Sequence, residues 1–397
     1  MASSATVRAE AHGAPGGSRL LYIDNIRLTL ITLVVVGHLA ITYTGQGDWY
    51  YKEPGEISDL FIILMLPFAA IASASLLGLF SLIAGYFTPR PYDRKGPARF
   101  FLDRIKRLAV PLMIYELIIR PVITYIRDVH QGSFQGSFWS FLREVFLPLD
   151  SYADGPVWYL LMLLIFSIAY TLWRLLSAGV RRRSTGDTGR VAPPGNWTIA
   201  LFMLGLGLLT FIVRIWAPVG FQLEPWHQEL AHYPQYIAMF VVGILAYRND
   251  WLASFPDAQA RPWRWMVLLV IVSLVGVAGA AGAFSGALDD RAAGGLNWLS
   301  LAYSMWEAFT CVVVSIVMLT WFRRRFTRQG RLMQAMSASA FGVYVIHPAV
   351  IVPLPIALSS IRMNPGLKFL WVTPLAVALC YIIVHYLRKL PLMRNFL

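Results

Sequence analysis

The sequence predicts an all-α polytopic membrane protein of about ten transmembrane helices, and three observations predict it. Of 397 residues, 57% are hydrophobic and only 14% are charged, where a soluble chain carries roughly a quarter. Mean hydropathy is +0.58. Several windows run close to ~20 residues with almost no charge, the length that crosses about 30 Å of hydrocarbon.

The apolar runs place helices at 23–44, 58–87, 105–126, 156–178, 197–216, 233–249, 263–285, 298–322, 335–359 and 367–387. Ahead of the first lies a stretch rich in Ala, Gly and Ser, so residues 1–22 read as a flexible tail on the cytoplasmic side. No cleavage site follows the first run, which therefore reads as a retained span rather than a signal peptide. The second run is too long for a straight crossing and predicts a tilt, or a kink at Pro67. The third follows a dense basic segment. The longest gap, 127–155, is too short for a soluble domain, so residues 23–397 form one integral-membrane domain.

Basic residues set the topology. Of 34 Lys and Arg, 25 fall in the N-terminal tail, 88–107, 174–196, 248–264, 323–334 and the C-terminus. The alternate loops hold Lys52, Arg127, Arg143, Arg291, Arg362 and Lys368, and acidic residues lean toward those loops. With an even number of spans, both termini are expected to be cytoplasmic. The net charge of +13 is thereby a topology signal, and nucleic acid is not an expected partner. Cys311 and Cys380 lie inside apolar runs, offer no metal spacing and read as small buried hydrophobes.

Charge inside a membrane costs about 2.5–3.5 kcal/mol on insertion scales, so buried ionisable residues are functional candidates. Arg27 and His38 in "IRLTLITLVVVGH" are eleven positions apart. That spacing returns to within roughly 20° of one helical face, about 16 Å along the axis. His347, in "FGVYVIHPAVI", lies at a depth similar to that of His38, so the pair can face one cavity; the bland alternative is two satisfied core histidines. Glu116 and Arg120 are four apart and can neutralise each other. Glu307 has no sequence-local partner and is available to orient a histidine. Arg214, near a helix end, reads as snorkelling. The segment 89–107 holds Arg90, Arg99, Arg104 and Arg107; it reads either as a topological anchor drawn to anionic lipid or as a phosphate site.

These stretches resemble the membrane acyltransferase-3 family. The R-x10-H spacing of Arg27 and His38 matches that family's signature. "FSLIAGYF" (80–87), "RIKRLAVPL" (104–112), "VWYLLMLL" (157–164) and "YVIHPAVI" (344–351) resemble its later motifs in order. Ala84 stands where serine is usual, and Pro156 where a histidine often precedes the tryptophan. "YIDNIR", "MFVVGILAY" and "LRKLPLMRNF" most resemble the glucans biosynthesis protein C subgroup, which is associated with succinyl transfer.

The resemblance implies a multi-pass enzyme of the bacterial inner membrane. It would move an acetyl, succinyl or similar group from cytoplasmic acyl-CoA to a hydroxyl of an extracytoplasmic glycan, a lipid or a small molecule. Acyl-CoA would be the donor substrate, with no metal. His38 would act as general base, or alternatively form an acyl intermediate. Arg27 would neutralise the donor, Arg90, Arg99, Arg104 and Arg107 would hold its phosphates, and His347 would orient the acceptor. Trp158, Glu116, Arg120, Glu307 and Tyr344 would line the cavity. The competing class is a transporter or flippase of a glycan or lipid intermediate, for which the expected internal repeat is not seen. A catalytically dead scaffold is a third reading, against which the intact Arg27, His38 and His347 speak. A homo-oligomer is left open.

Overall fold

The computed structural model describes residues 20–147, 155–177, 189–223, 228–282, 290–391 and 393. Ten helices among them are long and apolar enough to cross a membrane. They are α1 (Leu21–Thr44), α2 (Asp59–Tyr86), α3 (Pro89–Gln131), α4 (Gly155–Leu176), α5 (Asn196–Arg214), α6 (Leu230–Arg248), α7 (Asp257–Ala280), α8 (Trp298–Arg325), α9 (Arg331–Ala357) and α10 (Pro365–Leu387). A two-residue antiparallel ladder pairs Gln222–Leu223 (β1) with Gln228–Glu229 (β2). The fold is all-α and polytopic. The predicted tail overlaps α1, which already includes Leu21 and Tyr22; residues 1–19 lie outside the described residues.

Helix starts follow their capping residues. Ser58, Asn297 and Asn364 accept hydrogen bonds from first-turn N–H groups of α2, α8 and α10, which satisfies donors that a helix leaves open. α2 runs unbroken through Pro67. α3 differs most from the sequence expectation, since the basic segment read as a loop is helical. Gly96 breaks it with φ 76°, a conformation that favours glycine. Two wide turns then precede Pro111 and Pro121: Val110 N–H donates to Ile105 O, and Arg120 N–H to Tyr115 O. Proline lacks the N–H and crowds the carbonyl four residues back, and the wider turn relieves both.

Helices α1 and α9 form the centre. Of the most apolar window of α9, 72% is buried, against 11% for α7, so α7 is a rim helix whose apolar faces are left for lipid. α2 and α6 cross closely at two glycines. A Cβ on Gly85 would sit 2.0 Å from Phe240 O, and one on Gly243 would sit 2.0 Å from Leu82 O. The glycine of "AGYF" therefore permits backbone contact, as small residues do between membrane helices.

One end of the bundle is tied together by polar contacts. Asn25 Nδ2 donates to Phe326 O at 2.7 Å, Arg323 meets Asp257 at 2.9 Å, and Arg174 and Arg248 share Asp93 at 3.0 and 2.6 Å. This basic end also carries Arg27 and Arg104. The opposite end is closed by the buried Lys368–Glu53 ion pair.

Candidate active site

His38, eleven residues beyond Arg27 along α1, decides the site. His38 Nδ1 lies 2.9 Å from Val34 O, one turn back. A carbonyl can only accept, so Nδ1 carries the hydrogen and Nε2 keeps its lone pair. His38 is only partly buried.

His347 reaches the same state by a different route. Pro348 follows it inside α9 and has no N–H, so Tyr344 O loses its usual helical donor. His347 Nδ1 takes that place at 2.8 Å. The Tyr-x-x-His-Pro spacing thus fixes the ring and its tautomer together. Its Nε2 is buried and has no hydrogen-bond partner, and the whole side chain is 0% exposed.

The two imidazoles are neighbours, with centroids 5.1 Å apart. Trp49, from the loop after α1, completes a triangle. Its ring is 4.2 Å from that of His38 and 6.3 Å from that of His347, to which it lies within 9° of parallel. His38 sits at the widest corner. That loop is held firmly in place. Gly45 ends α1 with φ 66°, Glu53 N–H returns to Thr42 O at 2.8 Å, and Tyr51 Oη donates to Glu53 Oε2 at 3.1 Å. Lys368 of α10 closes on Glu53 Oε1. Tyr50 Oη is 2.9 Å from Tyr115 Oη.

An aromatic wall continues from the triangle. Tyr344 is 6.2 Å from His347 and 6.4 Å from Tyr159. Trp158 lies 6.1 Å from both Tyr159 and Tyr236. Tyr344 Oη donates to Pro156 O, so Pro156 supplies a backbone carbonyl that fixes α4 against α9. Ser81 of "FSLIAGYF" meets Tyr159 Oη at 3.3 Å.

The other predicted residues are dispersed. Arg27 is on the basic end of α1, 44% exposed and 3.9 Å from Asp24. Glu116 and Arg120 are buried together at 3.3 Å, and the Arg120 guanidinium lies 5.0 Å from the Phe146 ring. Arg104 stacks on Phe100 at 4.9 Å; Arg90, Arg99 and Arg107 are exposed. A cavity of about 300 Å³ near the same end is lined by Arg264, Arg324, Arg325, Asp257 and Trp321, a grouping that no local motif announces.

One expectation is corrected and one is met. Arg214 does not snorkel: it is 0% exposed and bonded to Glu307, because a buried carboxylate holds it. Glu307 does orient a histidine, but that histidine is His232, whose Nδ1 is 2.6 Å from Glu307 Oε1. His232 escaped notice because it sits at the start of α6, outside the apolar run, 75 positions from its partner. Trp49 was missed because a loop aromatic carries no periodicity. No cluster of three or more metal-ligating side chains occurs among the described residues.

Comparison with known proteins agrees with the motifs. The family model described as an acyltransferase domain (Acyl_transf_3) matches residues 20–385. Neither the search of curated proteins nor that of solved structures found a match. With nearly the whole described chain under that one family model, and with its ten apolar helices, the protein belongs to the acyltransferase-3 family and is a membrane acyltransferase.

Proposed function

We propose that the chain transfers an acyl group from cytoplasmic acyl-CoA to a hydroxyl of an extracytoplasmic glycan or related acceptor. The single observation that carries this reading is the pair of imidazoles at one depth, each with Nδ1 tied to a backbone carbonyl and Nε2 left open. An open, fixed Nε2 is what a general base needs.

In this reading the basic end faces the cytoplasm. Arg104 and Arg107 hold the phosphates of the coenzyme, Arg27 offsets its charge on the way in, and the thioester reaches His38, about 16 Å further along α1. The acceptor hydroxyl gives its proton to His38 Nε2 as its oxygen attacks the thioester carbon. The carbonyl electron pair moves to oxygen, then returns as the C–S bond breaks. The departing thiolate takes the proton from the His38 imidazolium, leaving an ester and free coenzyme thiol. Trp158 and Tyr344 belong to the walls of the same passage. The subgroup resemblance favours succinyl as the acyl group and a glucan as the acceptor, in a bacterial inner membrane.

The test uses the purified chain in lipid nanodiscs, with acetyl-CoA and succinyl-CoA supplied in turn and thiol release measured with and without methyl glucoside. Alcohol-dependent thiol release that His38→Ala abolishes is expected. Release that persists in His38→Ala removes His38 from the role of base.

A further inference from the structure

Polar atoms buried without partners mark places where a ligand is expected to supply the missing bond. The triangle contains two, of opposite kinds. His347 Nε2 is an acceptor without a donor, and Trp49 Nε1–H is a donor without an acceptor. Other tryptophans in the fold do find partners. Trp251 Nε1–H donates to Val191 O at 2.9 Å, Trp263 to Asn196 Oδ1 at 3.0 Å, and Trp306 to Val270 O at 3.1 Å. Trp49 is kept from doing so by a loop that two separate contacts immobilise, the Glu53–Lys368 ion pair and the Tyr50–Tyr115 bond.

A thioester carbonyl could satisfy only the indole N–H. A hydroxyl satisfies both atoms, since it accepts from the indole and donates to the imidazole. His38, with its own open nitrogen, is the third corner of the triangle and the site for a further hydroxyl. We infer that Trp49 and His347 form a seat for a second hydroxyl of the acceptor, beside the one activated on His38, so that the site selects a 1,2-diol over a simple alcohol. This rests on the acyl-transfer reading above and adds two positioning residues to it. No bond is made or broken at the seat. Its effect is to orient the diol so that the neighbouring oxygen faces the thioester carbon.

The experiment compares trans-cyclohexane-1,2-diol with cyclohexanol as acceptors in thiol release from succinyl-CoA and acetyl-CoA by the full-length chain. One variant carries β-(3-benzothienyl)alanine at position 49, which keeps the bicyclic shape and removes only the N–H; Trp49→Phe and His347→Gln accompany it. The parent is expected to favour the diol in kcat/KM by roughly three- to tenfold, the worth of one hydrogen bond. In the benzothienyl variant that preference should fall toward unity, with the half-saturating diol concentration rising and that of the coenzyme ester holding. Its melting temperature should be no lower than the parent's, because no bond within the protein is lost. An undiminished diol preference, or a lower melting temperature, overturns the seat while leaving acyl transfer standing. No thiol release from the parent with any alcohol overturns the acyl-transfer reading and the seat with it.

Discussion

Two polar groups lie inside this bundle, and they are built on opposite principles. In the first, Arg214 of α5, His232 of α6 and Glu307 of α8 face one another. Glu307 uses one oxygen on Arg214 and the other on His232. Arg214 also reaches Ser304 at 3.4 Å and lies 5.0 Å from the Tyr303 ring, so only its Nε lacks a partner within the group. In the second group, His38 and His347 each spend one nitrogen on their own helix and leave the other free. Cross-helix neutralisation fastens three helices together. Side chains tied back to their own backbone are oriented without being consumed. Burial of charge alone does not separate structure from chemistry; the unspent bonding capacity does.

That contrast can be broken at its charged side first. Glu307→Leu leaves Arg214 buried without its counter-ion and is expected to cost about 3–5 kcal/mol of stability, read as loss of folded protein after detergent extraction. Adding Arg214→Met removes the orphaned charge and should restore most of the loss. If Glu307→Leu is as stable as the parent, the group is not a structural fastening. The imidazole side should respond the other way. His38→Ala is expected to lower acyl transfer by about 10²–10⁴-fold, the usual worth of a general base, while thermal unfolding moves little. A variant that loses fold and activity together would place His38 in the first class instead.

Smaller effects sharpen the picture. Gly85→Leu drives a side chain into the backbone of α6 and should destabilise by about 1–3 kcal/mol, seen as a lower melting temperature with the chemistry of surviving protein intact. Arg104→Glu combined with Arg107→Glu should weaken coenzyme ester binding several-fold. That difference should shrink at high salt because exposed charges are screened; affinity that ignores both the charges and the salt removes the phosphate site from this segment.

Much of the fold was legible because each span needs its own run of apolar residues, and such runs are local. The matched depths of His38 and His347 followed from counting residues along helices that point the same way. Partners were less legible. Glu307 meets Arg214 across 93 positions, and nothing in either helix alone announces the pairing. Trp49 lies in a loop whose path is set by Glu53 and Lys368, 315 residues apart. The helical start of α3 was hidden because its charges read as a loop, whereas at a bundle end charges and helix coexist. Arg27 and His38 share a stripe in sequence; in the structure Ile31 and Val35 between them are buried, while Thr32, Leu33 and Val34 are only partly so.

The most direct test of unspent bonding capacity as the mark of the active site is mass spectrometry of envelope glycans and secreted metabolites. Cells would make the parent chain, His38→Ala, or the paired Arg214→Met, Glu307→Leu variant, compared at equal amounts of folded protein. An acyl mass that appears with the parent and the paired variant but vanishes with His38→Ala is the predicted result. The same acyl mass in all three, or its loss only in the paired variant, would contradict it.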